Sequence, residues 1–262
     1  MVSLMTHLRS SLEGLLDQAS EDSSDYRIAH YLLENCYVVQ NISIQDVAEK
    51  CYVSKSTVSR FCRQIGYQDY RELNQAIYEA FLRASQVKFK PYMERTDGNQ
   101  LYLDEVQECL DIVRKLATPA LIDEVVGDLM THKRVGLLGK MQSNSVAIDL
   151  QHDLLVSHKV AAAPMMPENQ LAFIENSDKE TFLLVISSSG TYFRGFLTSN
   201  TFERDRRPKV TLLTNNAEMI GDPAYDRVIA LPCEDTYAKH PLALKLFCNL
   251  IAVNYAKAVF VQ

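Results

Sequence analysis

The sequence predicts an all-α N-terminal domain followed by an α/β domain built on a five-stranded parallel sheet flanked by helices. Two observations carry this. The stretch Ile42 to Gly66, ISIQDVAEKCYVSKSTVSRFCRQIG, reads as two short amphipathic helices joined by a tight turn. After residue 100 the rhythm changes, and short apolar runs alternate with helical segments, the pattern of a parallel sheet covered on both faces. At 262 residues the chain has room for a small helical domain and one further domain of roughly 150 residues.

In the first short helix Ile44, Val47 and Ala48 fall on one face. In the second, Val58, Phe61, Cys62 and Ile65 do the same at 3.6-residue spacing. The two apolar faces pack together, with Val53 as a plug in the turn and Ser54 as the N-cap of the second helix. Outward on that helix remain Lys55, Ser56, Thr57, Ser59, Arg60 and Arg63, with no carboxylate between Lys50 and Gln68. A polar, cationic face of this kind suits phosphates and base edges, so Ser54, Lys55, Ser56, Thr57, Ser59, Arg60 and Arg63 are the expected DNA-binding residues. A plain helical hairpin with a solvated basic face is the alternative reading. Tyr52 occupies a turn position where such motifs commonly carry Gly, and a positive φ there would be strained.

The chain resembles the RpiR-type bacterial regulators, which join an N-terminal helix-turn-helix domain to a C-terminal sugar isomerase (SIS) domain. The resemblance runs from Tyr26–Asn35 (YRIAHYLLEN), similar to the family's first long helix, through Ser43-Ile44 and Val53–Cys62 to Ile65-Gly66-Tyr67. The family's recognition-helix pattern Val-Ser-x-x-Thr-Val-x-Arg-Phe is filled at every position by Val53, Ser54, Thr57, Val58, Arg60 and Phe61.

Charge agrees with a local DNA patch on an acidic molecule. The net charge is −6, yet residues 41–90 hold eight Lys/Arg against five Asp/Glu, whereas residues 1–40 hold two against six. Non-specific affinity follows the number of phosphates neutralised, so a confined patch favours a specific binder. Apolar runs are expected to stay short of the roughly 20 residues that a membrane helix needs, and Met1 to Leu16 reads as amphipathic without a signal-peptide pattern, so a cytoplasmic protein is expected. Six cysteines, Cys36, Cys51, Cys62, Cys109, Cys233 and Cys248, lack paired ligand spacing and read as buried reduced thiols. No metal and no cofactor are expected.

Arg83 to Asn99 contains Pro91, Asp97-Gly98 and mixed charge without a clean period. The expected domains are therefore residues 1–85, a linker 86–99, and 100–262. Leu101 to Leu116 reads as an amphipathic helix, and Thr118-Pro119 opens another with a cap residue followed by Pro at the first helical position. Strands are expected at Val135–Leu138, Val160–Ala163, Phe182–Ile186, Val210–Leu213 and Val228–Leu231, and a closing helix from Pro241 to Phe260.

In such sheets ligands bind at the carboxyl ends of strands. Two loops qualify, Gly139–Ser145 (GKMQSNS) and Ser187–Thr191 (SSSGT), and hydroxyls with free amides at a helix start suit an anion such as phosphate. They resemble the two SIS signatures, Gly-x-Gly-x-Ser and Ser-x-Ser-Gly-x-Thr. Gly139 and Ser143 fit the first, with Met141 in place of its second glycine. Ser187, Ser189 and Gly190 fit the second, with Tyr192 where the family has Thr and Thr191 one place early. Gly139, Ser143, Ser187, Ser189, Gly190 and Thr191 are the expected ligand residues, and no catalytic residue is assigned. His152, His158 and His240 read as surface or helix-end residues, Glu168 and Glu175 as a polar helix face, and Arg204–Arg207 as a solvated loop.

The resulting expectation is a bacterial regulator that binds operator DNA as a homodimer or higher homo-oligomer, its sensor domain taking a phosphosugar effector, with no membrane partner. Two rivals stand beside it: a phosphosugar isomerase or etherase whose N-terminal domain only oligomerises, and a regulator whose SIS domain only dimerises.

Overall fold

The structure, a computed structural model, describes residues 8, 11–17, 19–193, 207–234 and 236–261, with residues 82–88 described as backbone alone. Most of the amphipathic reading of the first residues and Arg204–Arg206 thus lie outside the described residues. The chain divides into two compact units, residues 1–94 and 95–262.

In the first unit four helices begin at a capping side chain. Helix α1 (Ser24–Glu34) starts at Ser23, whose hydroxyl accepts from the Tyr26 amide. A single 3-10 turn, Val39–Asn41, leads to α2 (Ile44–Lys50), where Ser43 and Asp46 form a reciprocal capping box. Helix α3 (Lys55–Gln64) is capped by Ser54 and α4 (Tyr70–Met93) by Asp69. Ile28, Leu32, Val47, Val58, Phe61, Cys62, Leu73 and Ile77 meet in one core. Asn74, buried on α4, donates to the Val39 carbonyl at 2.5 Å, and the Tyr70 hydroxyl donates to the Ile42 carbonyl at 2.9 Å, fastening α4 to the segment ahead of α2.

The expected linker is largely helical. Helix α4 continues through Pro91 to Met93, and α5 (Gly98–Leu116) begins after only four non-helical residues. Neither Pro91 nor the mixed charge ended the helix at once; it stops two residues beyond Pro91.

The second unit continues with α6 (Pro119–Thr131), opened by Thr118 and Pro119 as expected, then β1 (Arg134–Gly139), α7 (Gln142–Val156), α8 (Pro167–Glu175), β2 (Thr181–Ile186), β3 (Lys209–Thr214), β4 (Arg227–Ala230) and α9 (Leu242–Phe260). The strands pair in parallel in the order β1-β2-β3-β4. In β2, Phe182, Leu184 and Ile186 enter the core shared with α5, α6, α7 and α9, while Leu183 and Val185 face the opposite core with Ile174, Tyr192 and Tyr225. This period-2 division explains why the strand is apolar at every position from Phe182 to Ile186.

The sheet has four strands among the described residues, not five. Val160–Ala163 forms no strand: Ala162 makes an isolated bridge to Gly136, exchanging hydrogen bonds of 2.8 and 2.9 Å with Leu137 and Val135. Val160 is 75% exposed, and Pro164 brings no amide to extend the ladder. A second difference concerns α9, which is long and apolar enough to cross a membrane by length and composition, against the expectation that no segment would be. Its Ala243, Leu244, Phe247, Cys248, Ile251 and Tyr255 face the core of this unit.

Candidate nucleic-acid interface and effector loops

The Ser54 hydroxyl organises the start of α3. It accepts from the Thr57 amide at 3.1 Å and lies 2.7 Å from the Ser56 hydroxyl and 2.9 Å from that of Thr57. Val58, Phe61 and Cys62 turn inward, and Ser54, Lys55, Ser56, Arg60 and Arg63 are exposed, with Thr57 and Ser59 half-buried. Lys55 Nζ donates to Gln45 Oε1 on α2 at 2.8 Å, so the side chain at the head of α3 is held by the neighbouring helix. The seven expected residues therefore lie along one helix and its cap, five of them open to solvent.

The turn before α3 explains Tyr52. The Tyr52 amide bonds the Glu49 carbonyl and the Val53 amide bonds the Ala48 carbonyl, the Schellman arrangement that closes a helix with a left-handed residue. Tyr52 occupies that residue at φ +55° and is 86% exposed. The other end of α3 closes in the same way at Gly66, φ +92°, with Tyr67 N–H on the Cys62 carbonyl. Within the capping box, hydrogen bonds from the Ser43 hydroxyl and amide hold the Asp46 carboxyl below its usual range.

In the second unit Gly139 pairs with Ile186 in the β1–β2 register, so the loops after β1 and β2 leave adjacent strands at the same carboxyl edge. A Cβ on Gly139 would lie 2.7 Å from the Ser143 carbonyl group, which requires glycine there. Met141 adopts φ +55°, ψ −126°, a conformation that favours glycine, at the cap of α7. Ser143, in the first turn of α7, is buried. In the second loop Ser187 is half-buried, Ser189 and Thr191 are exposed, and their two hydroxyls lie 2.8 Å apart. The Gly190 amide is already engaged, donating to the Ser187 carbonyl at 3.0 Å.

Tyr192 and Gln170 join the two loops, and neither was among the expected ligand residues. Gln170, buried on α8, donates to the Gly139 carbonyl at 2.7 Å and the Pro164 carbonyl at 2.8 Å, while its oxygen accepts from the Tyr192 hydroxyl. Burial pushes the Tyr192 phenol up, and it pushes the ammonium of Lys140, set over the Tyr192 ring, down. A glutamine at helical spacing carries no sequence signal for this role. His158 ends α7 at φ +65°, a helix-end residue as expected, and Glu168 and Glu175 are exposed at opposite ends of α8. Among the described residues no group of three His, Cys, Asp or Glu is arranged to hold a metal.

Residues 6–83 match the family described as the helix-turn-helix domain of the rpiR family. The HTH-type transcriptional regulator HexR of Pseudomonas aeruginosa is 27% identical over 195 residues, covering 71% of this chain and 66% of the relative. An uncharacterized HTH-type transcriptional regulator of Providencia stuartii is 24% identical over 196 residues, covering 71% and 67%. The chain thus spans about two thirds of the length of these curated relatives. Among solved structures, the Vibrio vulnificus NanR protein complexed with ManNAc-6P superposes with a TM-score of 0.52 at 21% identity, covering 97% of this chain and 92% of that one. Fold and site together define a helix-turn-helix domain followed by an α/β domain with a parallel sheet. Residues 6–83 form a helix-turn-helix domain of the rpiR family.

Proposed function

We propose that this protein is a bacterial transcription factor for genes of sugar or amino-sugar metabolism, with residues 1–85 binding operator DNA and residues 100–262 acting as sensor and dimerisation domain. The observation that carries the reading is the exposed face of α3, which presents hydroxyls and cations, no carboxylate, and a Ser54-organised first turn. An oligomerisation helix would expose apolar residues instead. The protein acts on DNA in the cytoplasm and not as an enzyme. One recognition helix reads only a few base pairs, so a symmetric dimer presenting two of them about 34 Å apart supplies the affinity a palindromic operator needs. Footprinting on the upstream region of its own gene tests the reading. Protection at low salt is expected, and an unprotected region would overturn it.

The effector is a phosphorylated sugar or amino sugar, with its phosphate at Ser187, Ser189 and the Gly190 amide and its sugar near Ser143, flanked by Gly139 and Thr191. Both loops lie at one carboxyl edge, which supports this assignment. The Gly190 amide exchanges its turn hydrogen bond for the phosphate. Effector binding then biases the two reading heads by a coupling on the order of 1–3 kcal/mol. Calorimetry against hexose and aminosugar phosphates, with Ser189→Ala as control, checks the site. A second reading, an α/β domain that only dimerises, is favoured by Met141 at positive φ and by Tyr192 filling the space behind the loops. Absence of heat from the whole panel, with DNA binding indifferent to it, would select that reading.

A further inference from the structure

Cys109 on α5 and Cys233 in the loop leaving β4 are distant in sequence yet belong to one core cluster, Cys109 fully buried and Cys233 part-exposed at its rim. Their side chains hydrogen-bond to each other. The Cys109 sulfur also lies 3.8 Å from the Lys239 carbonyl, and Asn215 Nδ2 donates to the Cys233 sulfur at 2.5 Å. The buried Lys239 ammonium, 2.6 Å from Glu108, favours the thiolate on both sulfurs. The hydrogen bond from Cys233, more than that charge, holds the Cys109 thiol below its usual value while Cys233 keeps its proton. The remaining buried thiols have no such partner: burial pushes Cys36 and Cys51 up, Cys62 to about 11 and Cys248 to about 12. Reactivity toward oxidants follows thiolate character and access, and this pair alone combines a thiolate-prone sulfur with one at the surface.

We propose that Cys109 and Cys233 form an oxidation site that closes reversibly to an intramolecular disulfide when the protein meets a peroxide. Cys233, the sulfur with access to solvent, passes its proton across the hydrogen bond to the Cys109 thiolate and attacks one oxygen of hydrogen peroxide; the O–O bond breaks, the leaving hydroxide takes a proton from solvent as water, and Cys233 becomes a sulfenic acid. The Cys109 thiol then gives up that proton as its sulfur attacks Cys233, the S–O bond breaks, and the departing hydroxide takes the proton up as water. In sum two thiols and one peroxide give one disulfide and two waters, with two electrons passing to the peroxide. Closure to an S–S bond of about 2.05 Å draws the Cys233 loop toward α5. It also alters the sulfur on which Asn215 rests. The backbone amide of Asn215 bonds the Ser188 carbonyl at 3.2 Å, and its side-chain oxygen is buried without a partner, so the change reaches the Ser187–Thr191 loop directly. The site stands whether or not that loop holds an effector.

The test treats the full chain with hydrogen peroxide, alkylates the remaining thiols, and maps the peptides by mass spectrometry before and after dithiothreitol. One cross-linked peptide pair, Cys109 to Cys233, is expected, lighter by two hydrogens and fully reversed by the reductant, with the other four cysteines alkylated. Cys233→Ser, with Cys233→Ala as a second variant and folding followed by circular dichroism, abolishes the cross-link. Cys109 and Cys233 both remaining alkylatable at peroxide levels that oxidise surface methionines would overturn the proposal. So would a cross-link that joins other cysteines.

Discussion

The hydroxyl of Tyr192 donates to the side-chain oxygen of Gln170, and both groups are buried. Through the amide nitrogen of Gln170 the contact continues to the Gly139 carbonyl, so the loop after β1 and the loop after β2 are joined behind their exposed hydroxyls. A bond of this kind is costly to break from one side, because the surviving group has no water to replace the lost partner. Tyr192→Phe should therefore destabilise the protein by about 1–3 kcal/mol in urea denaturation. An unchanged midpoint would mean that water reaches Gln170.

Tyr52 closes α2 in a left-handed conformation that a side chain disfavours. Tyr52→Gly should stabilise the protein by roughly 0.5–1 kcal/mol, the relief of φ strain exceeding the entropy that glycine adds to the unfolded chain. Tyr52→Ala keeps the strained Cβ and should bring no gain. Thermal unfolding of the two variants side by side makes the comparison.

Ser54 caps α3 and sets the hydroxyls of Ser56 and Thr57 beside its own. Its replacement by Ala should cost about 1 kcal/mol of stability, as at other N-caps, and weaken DNA binding as the first turn loosens. Ser54→Asp restores the cap but brings a negative charge to the DNA, so recovery of stability without recovery of affinity is expected. Denaturation and fluorescence anisotropy separate the two effects.

Arg63 and Lys55 lie at opposite ends of α3, and their roles at DNA should differ. Arg63→Ala is expected to weaken binding to all sequences alike and lower the salt dependence by about one phosphate contact. Lys55→Ala should relax discrimination at particular base pairs by about 1–3 kcal/mol, with little change in the salt slope. Titrations of operator and scrambled duplexes across a salt series distinguish the two.

Hydrogen bonds from Ser43 lower the Asp46 carboxyl in the folded protein. The folded form thus prefers the ionised carboxyl more than the unfolded chain does. The contribution is fully present above the unfolded carboxyl value, near pH 4, and is lost as pH falls through the depressed folded value. Asp46→Asn should flatten this part of the acid-side loss of stability. Denaturation midpoints for both proteins between neutral pH and about pH 3 measure it, and parallel curves would remove the capping box from the account.

The features legible in the chain are those that depend on neighbours a few residues apart. Ser54, Val53 and the 3.6-residue spacing of Val58, Phe61 and Ile65 specify α3, since capping and amphipathicity act within one or two turns. Tyr52 at a turn position that commonly carries Gly announced a strained turn, and it takes positive φ; Met141, read only as standing in for a signature glycine, takes positive φ as well. The apolar runs at β1, β2, β3 and β4 were equally readable, because strands covered on both faces need no polar alternation. Tertiary structure alone decided the rest. Val160–Ala163 looks like the other runs, yet Pro164 and an exposed position at Val160 leave it a single bridge at Ala162. The linker's ambiguous period became helix, because propensity there is weak and context prevails. Gln170 under the loops, and Cys109 against Cys233, depend on which elements the sheet brings side by side, a long-range contact that no local spacing encodes.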